Sequence, residues 1–221
     1  MWTIVVAGGS GRRFGGPKQF LPLGGRPVAA WSVTAARSVS DGVVLVVPGG
    51  TAADSPDETA ADSSDCGADR VVTGGDARAD SVRAGLAAVP DEAEVIVVHD
   101  AARPLAGPSL FAAVVEAVQE GGAVCAIPVL PVSDTLKRTS DGQVTSTVDR
   151  EGLVTVQTPQ AFAAAVLRQA HQDGGQTTDD AGLVEQLGLP VRTVPGDSRN
   201  LKLTRPEDLG LAEALLAGTP G

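Results

Sequence analysis

No stretch of this 221-residue chain approaches the ~18 consecutive apolar residues of a membrane span. The N-terminus enters a predicted strand at once, without the basic segment and apolar core of a secretory signal. These absences predict a cytoplasmic protein with no membrane partner. Positive charge is scarce too: 17 lysines and arginines face 27 aspartates and glutamates, leaving a formal charge of −10. Nucleic acid and acidic lipid surfaces need a basic footprint, so both are excluded as partners. Only two cysteines are present, Cys66 in a polar acidic segment and Cys125 in an apolar run. Such different environments are not expected to meet, the spacing suits no zinc site, and both read as unpaired structural residues. Internal repeats and low-complexity linkers are missing.

The chain does have 43% hydrophobic residues over a length that suits one α/β domain, residues 1–221, and not two. Short β-branched runs recur at 3–6, 43–47, 70–73, 94–98, 123–127, 153–157 and 191–194, mostly separated by helical patterns. That alternation predicts a mixed, mainly parallel sheet. Residues 108–120 carry Leu110, Ala113, Val114, Ala117 and Val118 on one stripe, opened by a proline and closed by Gly121-Gly122. Thr158-Pro159 and Gly174-Gly175 are expected to bracket another helix, and Thr204 to Glu207 to form a capping box opening the last one, to about Ala217. The tail from Gly218 is expected to fray. Residues 49–68 are acidic and aperiodic, a surface loop or a weak helix. Residues 132–150 differ from everything else: polar alternating strands at 134–139 and 143–148 flank Asp141-Gly142, a hairpin signal. Such a protruding β-arm is marginal alone and is expected to pack on something, most simply a second copy of the chain.

The densest chemistry lies in VAGGSGRRFGGPKQFLPLGGRP, residues 6–27. Gly8, Gly9, Gly11, Gly15 and Gly16 allow backbone N–H groups to turn toward an anion, and Arg12, Arg13 and Lys18 neutralise it. Together they predict a polyphosphate site. The dinucleotide fingerprint fails here: Arg12, Arg13 and Phe14 follow Gly9-Ser10-Gly11, and the next strand ends in Val47-Pro48-Gly49 without a ribose-binding acid. The Walker A pattern fails because Pro17 precedes Lys18 and Gln19 replaces the Ser or Thr that would hold magnesium. With so negative a body, an anionic nucleotide is expected to need a divalent cation, Mg2+ or another, as well as these side chains.

This loop resembles that of nucleotidyltransferases, and most closely that of the 2-C-methyl-D-erythritol 4-phosphate cytidylyltransferases. The resemblance continues in order through VTGGDARADSV (72–82), VVHDAARPL (97–105), PVSDTLKR (131–138), TVDREGL (147–153), QTPQAF (157–162), TTDDAGLVE (177–185) and NLKLTRPEDL (200–209). It implies a three-layer nucleotidyltransferase-like fold and an arm-exchanged homodimer. It also implies an enzyme that transfers the cytidylyl group of CTP to 2-C-methyl-D-erythritol 4-phosphate in the non-mevalonate isoprenoid pathway. A pentitol-phosphate cytidylyltransferase acting on ribitol 5-phosphate would share nearly all these motifs and stands as the alternative. The loop from Arg13 to Lys18 is shorter than is common in the family, and residues 49–68 align with nothing.

By resemblance the catalytic set is Arg13, Lys18, Lys202 and Arg150, the last a ligand of the acceptor phosphate. Ala7, Gly8, Gly9, Gly11 and Ala101 belong to the substrate site, Gly75, Asp76 and Ser81 to cytidine recognition, and Thr135, Thr158 and Thr178 to the methylerythritol moiety. From the residues alone, Gly74-Gly75-Asp76 is equally a turn capping a helix, the threonines are caps and strand residues, and Lys202 and Arg150 are solvated charges. Asp100, ending an apolar strand, has two readings, metal ligand or turn cap. Arg103 has two as well, a phosphate contact or a brace for Asp100. His99 reads as structural: a phosphate nucleophile with a second pKa of about 6 is already ionised and needs no base.

Overall fold

Runs such as Gly42–Val47 and Val95–Asp100, apolar with no polar alternation, are stable as strands only where both faces of a sheet are covered. Both are buried throughout in the computed structural model, which describes residues 1–8, 14, 18–49, 66–172 and 177–218. The expectations for Gly9, Gly11, Arg12, Arg13, Gly15, Gly16, residues 50–65, Gly174-Gly175 and the end of the tail fall outside those residues.

Eight strands form one sheet: β1 (Trp2–Val6), β4 (Gly42–Val47), β5 (Arg70–Thr73), β6 (Val95–Asp100), β7 (Cys125–Pro131), β10 (Val154–Val156), β11 (Gln160–Ala163) and β12 (Arg192–Pro195). The order β7-β11-β6-β1-β4-β5 has β10 and β12 beside β7. Pairs β1–β4, β1–β6, β4–β5 and β7–β12 are parallel, whereas β11 runs antiparallel to β6 and β7. Successive side chains of a strand point to opposite faces, and the core divides accordingly. Val5, Val43, Leu45 and Val97 pack under α1 (Val28–Arg37) and α3 (Pro108–Gln119). Ile4, Val44, Val46, Ile96 and Val98 pack under α2 (Arg78–Ala88), α4 (Ala164–Ala170) and α5 (Asp180–Gln186). The result is the three-layer, mainly parallel α/β fold. No helix among the described residues is long and apolar enough to cross a membrane. Both cysteines are buried.

A smaller cluster of Leu23, Val28, Leu203 and Ala212 ties α6 (Glu207–Ala217) to the short hairpin of β2 (Pro22–Leu23) and β3 (Arg26–Pro27). It draws the segment carrying Lys202 toward the 3-10 turn Lys18–Phe20. The arm is a separate exposed hairpin of β8 (Leu136–Ser140) and β9 (Gln143–Val148). Its two turn residues, Asp141 and Gly142, have φ of 50° and 77°, the left-handed pair that matches strand twist in a two-residue loop.

Two expectations need correction. Residues after Thr158-Pro159 do not start a helix: Gln160–Ala163 form β11, because this buried segment pairs with β6 and β7 on both edges, and α4 begins only at Ala164. The last helix is capped by Asp208 and not by Glu207. Its carboxylate accepts from the N–H groups of Thr204 and Arg205, while Glu207 is turned out toward Arg205.

Helix α2 lies close on the sheet at Gly85, where an added Cβ would stand 2.5 Å from Ile4 Cγ2 and 3.1 Å from Val46 Cγ2. Overpacking there costs about 1–3 kcal/mol. That exceeds the ~1 kcal/mol that alanine gains over glycine in a helix. Gly85→Ala is therefore expected to lower the urea midpoint; a raised midpoint would contradict this packing.

Candidate active site

The centre of the site is a carboxylate at a strand end. Asp100 closes β6, paired in register with Val6 at the end of β1, and Ala101 N–H donates to Val6 O at 3.0 Å. The loops after both strands thus leave the same carboxyl edge of the sheet, the usual ligand side of open α/β folds. Asp100 is 8% exposed. Arg78 Nε donates to its Oδ1 at 3.2 Å and Lys202 Nζ to its Oδ2 at 2.7 Å. Burial pushes this carboxyl up, but Arg78 and then Lys202 outweigh it and hold Asp100 ionised, well below the usual carboxylate range. Burial likewise pulls Arg78 down, and Asp100 and Asp180 more than reverse it.

Lys18 reaches the same edge from the glycine loop, its Nζ donating to the carbonyl of Leu203, next to Lys202. Lys18, 184 positions before Lys202 in the chain, is thereby bonded to its neighbour Leu203, while Lys202 is bonded to Asp100. The cavity beside them has a volume of about 760 Å³ and is lined by Arg78, Asp100, Arg103, Thr158, Thr178 and Lys202, among others.

Behind Asp100 a neutral hydrogen-bonded chain fixes the turn. Asp100 N–H donates to Thr158 Oγ1 at 3.0 Å, and Thr158 Oγ1 lies 3.1 Å from His99 Nδ1. His99 Nε2 lies 3.1 Å from the carbonyl of Arg103, which can only accept, so Nε2 carries the proton and Nδ1 accepts from the threonine hydroxyl. Burial drops the His99 pKa to about 4, keeping it neutral. Arg103 in turn donates to the carbonyls of Asn200, at 2.8 Å, and Val156, at 3.3 Å. Gln157 and Asn200 knit this wall to the Lys202 segment: Asn200 Nδ2 donates to Thr158 O at 2.9 Å and Gln157 Nε2 to Asp197 O at 2.8 Å.

At the β1 and β5 ends, Gly8 and Gly74 close over Ser81. A Cβ on either would meet Ser81 Oγ, at 2.7 and 2.5 Å. Ser81 is 2% exposed and its hydroxyl lies 3.4 Å from Gly75 O and 3.3 Å from Ala77 O, while Gly75 and Asp76 are exposed at the rim. Asp80 reaches back to Ala77 N–H at 3.1 Å, capping α2 and so aiming Arg78 at Asp100.

Of the expected site residues, Ala7, Gly8, Lys18, Gly75, Asp76, Ser81, Asp100, Ala101, Arg103, Thr158, Thr178 and Lys202 lie along this carboxyl edge or its cavity. Thr135 and Arg150 do not line that cavity. They are exposed at the root of the arm, where Arg150 donates to Ser133 O. Two members of the site were missed, Arg78 and Asp180. Both stand inside the motifs at 72–82 and 177–185, but nothing in a linear reading shows that residues 102 apart share a salt bridge of 2.7 Å. Among the described residues no group of three His, Cys, Asp or Glu could hold a metal. Asp100, held ionised at the cavity, is the type of donor magnesium takes when nucleotide phosphates and water supply its remaining ligands.

Comparison with known proteins places this geometry in context. The chain is 46% identical over 224 residues to a 2-C-methyl-D-erythritol 4-phosphate cytidylyltransferase of Nocardia farcinica, covering 97% of this chain and 93% of that one. It is 44% identical to a bifunctional IspD/IspF enzyme of Nitratidesulfovibrio vulgaris, matching over 96% of its own length but spanning only 57% of that relative. The crystal structure of a 2-C-methyl-D-erythritol 4-phosphate cytidylyltransferase from Thermus thermophilus superposes with a TM-score of 0.80 at 37% identity, covering 97% and 98% of the two chains. The model of the IspD family, 2-C-methyl-D-erythritol 4-phosphate cytidylyltransferase, matches residues 1–218, and the chain belongs to that family.

Proposed function

We propose that the protein transfers the cytidylyl group of CTP to 2-C-methyl-D-erythritol 4-phosphate, releasing pyrophosphate and forming 4-diphosphocytidyl-2-C-methyl-D-erythritol. The observation that carries this reading is the convergence of Arg78 and Lys202 on Asp100, with Lys18 bonded to the residue next to Lys202, beside a cavity at the carboxyl edge of the sheet. An oxygen of the acceptor phosphate attacks the α-phosphorus of CTP. The α–β bridging bond breaks, and its electron pair leaves on pyrophosphate. The nucleophile is already ionised, so the site has no need of a base, in keeping with a buried, neutral His99. Its task is to hold two anions in line and to spread the charge that develops between them.

In this reading Lys18, Lys202 and Arg13 face the triphosphate, and Arg103 contributes through the wall beside the acceptor. Ser81 is buried beneath the Gly74-Gly75 turn, so cytosine would be read by the backbone of that turn and of Ala7-Gly8, with Ser81 fixing its shape. Mg2+ would be held by Asp100 together with the phosphates, and when bound it supplies positive charge to them. Arg150 and Thr135 act from the arm of a second copy in a homodimer, a reading supported by their absence from the lining of the cavity of their own chain and by the exposure of the arm. The reaction belongs to the cytoplasm.

Purified protein given CTP, Mg2+ and the methylerythritol phosphate is expected to release pyrophosphate; release only with another acceptor, such as ribitol 5-phosphate, would overturn the assignment. Lys18→Ala is expected to lower kcat by about 10²- to 10³-fold with the fold intact, as for loss of a preorganised charge. Near-normal turnover would remove Lys18 from the mechanism. If the arm works across the dimer, co-refolding Lys18→Ala with Arg150→Ala restores about a quarter of wild-type activity, since half of randomly paired dimers hold one intact site. Activity no higher than that of the parents would place Arg150 in its own subunit's site.

A further inference from the structure

Gln160, the first residue of β11, is 0% exposed, although the rest of that strand is apolar. It pairs in register with Val98, two residues before Asp100, and Thr158 just upstream bonds the Asp100 N–H. Gln160 therefore belongs to the part of the cavity wall that is fixed to the Asp100 strand. Another part of the lining is the turn that enters α5, with Thr177, Thr178 and Asp179. One side-chain hydrogen bond joins the two parts: Gln160 Nε2 donates to Asp179 Oδ2 at 2.9 Å. The other Asp179 oxygen accepts the N–H of Gly182 at 3.1 Å and caps α5, while Thr177 Oγ1 donates to the Asp179 carbonyl. Both Asp179 carboxylate oxygens thus accept, so it is the amide nitrogen of Gln160 that faces them.

The amide is a poor choice for stability alone. Gln160 Oε1 is buried with no partner among the described residues, a cost that an apolar side chain of similar size would avoid. What the amide contributes is its bond to Asp179. The start of α5 has other ties, since Asp180 bonds Arg78 at 2.7 Å and His171 at 3.0 Å. Neither involves Gln160, so loss of the amide leaves α5 docked and frees the turn before it. We infer that Gln160 is a positioning residue: by holding Asp179 it fixes Thr178 relative to Thr158 in the cavity wall, and so governs binding of the acceptor phosphate and not of CTP. This rests on the proposed reaction, in which both threonines face the acceptor, and deepens it. Ala7, Gly8, Lys18 and Gly75, on the nucleotide side in that reaction, are not in the lining of this cavity.

The test measures KM for 2-C-methyl-D-erythritol 4-phosphate by pyrophosphate release, and Kd for CTP with Mg2+ by calorimetry. It compares wild type, Gln160→Met, Gln160→Glu, and Gln160→Glu combined with Asp179→Asn. Gln160→Met keeps the bulk and removes the hydrogen bond. It is expected to raise the acceptor KM about tenfold, the scale of one lost hydrogen bond, with CTP affinity within about twofold of wild type. Gln160→Glu sets two carboxylates face to face and is expected to raise the acceptor KM further. In the double variant an asparagine amide donates to the glutamate, an asparagine oxygen still caps α5, and the total charge is that of wild type. Its acceptor KM is expected to return to within about threefold of wild type. An unchanged acceptor KM in Gln160→Met, an equal loss of CTP affinity, or a double variant as impaired as Gln160→Glu would overturn the inference. If Gln160→Met does not fold, the comparison of Gln160→Glu with the double variant decides it. Absence of pyrophosphate release by the wild type would instead defeat the proposed reaction, and this role with it.

Discussion

The site depends on one buried carboxylate that stays ionised at the end of a central strand. Asp100 has little access to water, and burial alone would favour its protonated form. Arg78 from α2 and Lys202 from the segment before α6 reverse that preference. Each of these cations is in turn held by structure some distance away. Asp80 caps α2 and aims Arg78, Asp180 takes the other half of its fork, and the Leu23, Val28, Leu203 and Ala212 cluster seats the segment bearing Lys202. The carboxylate is therefore a joint of the tertiary fold as well as a ligand.

The neutral chain behind it has a different job. Thr158 accepts from the Asp100 N–H and donates to His99, whose other nitrogen donates to the Arg103 carbonyl. A complete chain of this sort leaves little freedom in the turn 100–103, which suits catalysis by positioning and fixed charge. It also settles how His99 can sit 0% exposed among charges: every polar atom of its ring has a partner and none needs a proton from solvent.

Much of this was legible in the sequence because its determinants are local. Val43 to Val47 is apolar at every position and is a fully buried strand; Asp141-Gly142 marks the arm's turn; and Pro108 with Gly121 brackets α3 within a residue. What failed was decided by distant partners. Gln160 to Ala163 has no strong strand signal of its own and is extended because β6 and β7 flank it. Asp208 caps α6 in place of Glu207 because a single carboxylate there reaches three donors on Thr204 and Arg205. Arg78 and Asp180 were invisible as a pair for the same reason. Each stands in a recognisable motif, but their meeting is made by the packing of α2 and α5 on one face of the sheet.

The central claim is that the Asp100 cluster is where a nucleoside triphosphate and its cation bind. A crystal structure with CTP and Mg2+ addresses it most directly. The account predicts the cation on Asp100 and the triphosphate within hydrogen-bonding distance of Lys18 and Lys202; phosphates bound elsewhere, with Asp100 still enclosed by Arg78 and Lys202 alone, would contradict it.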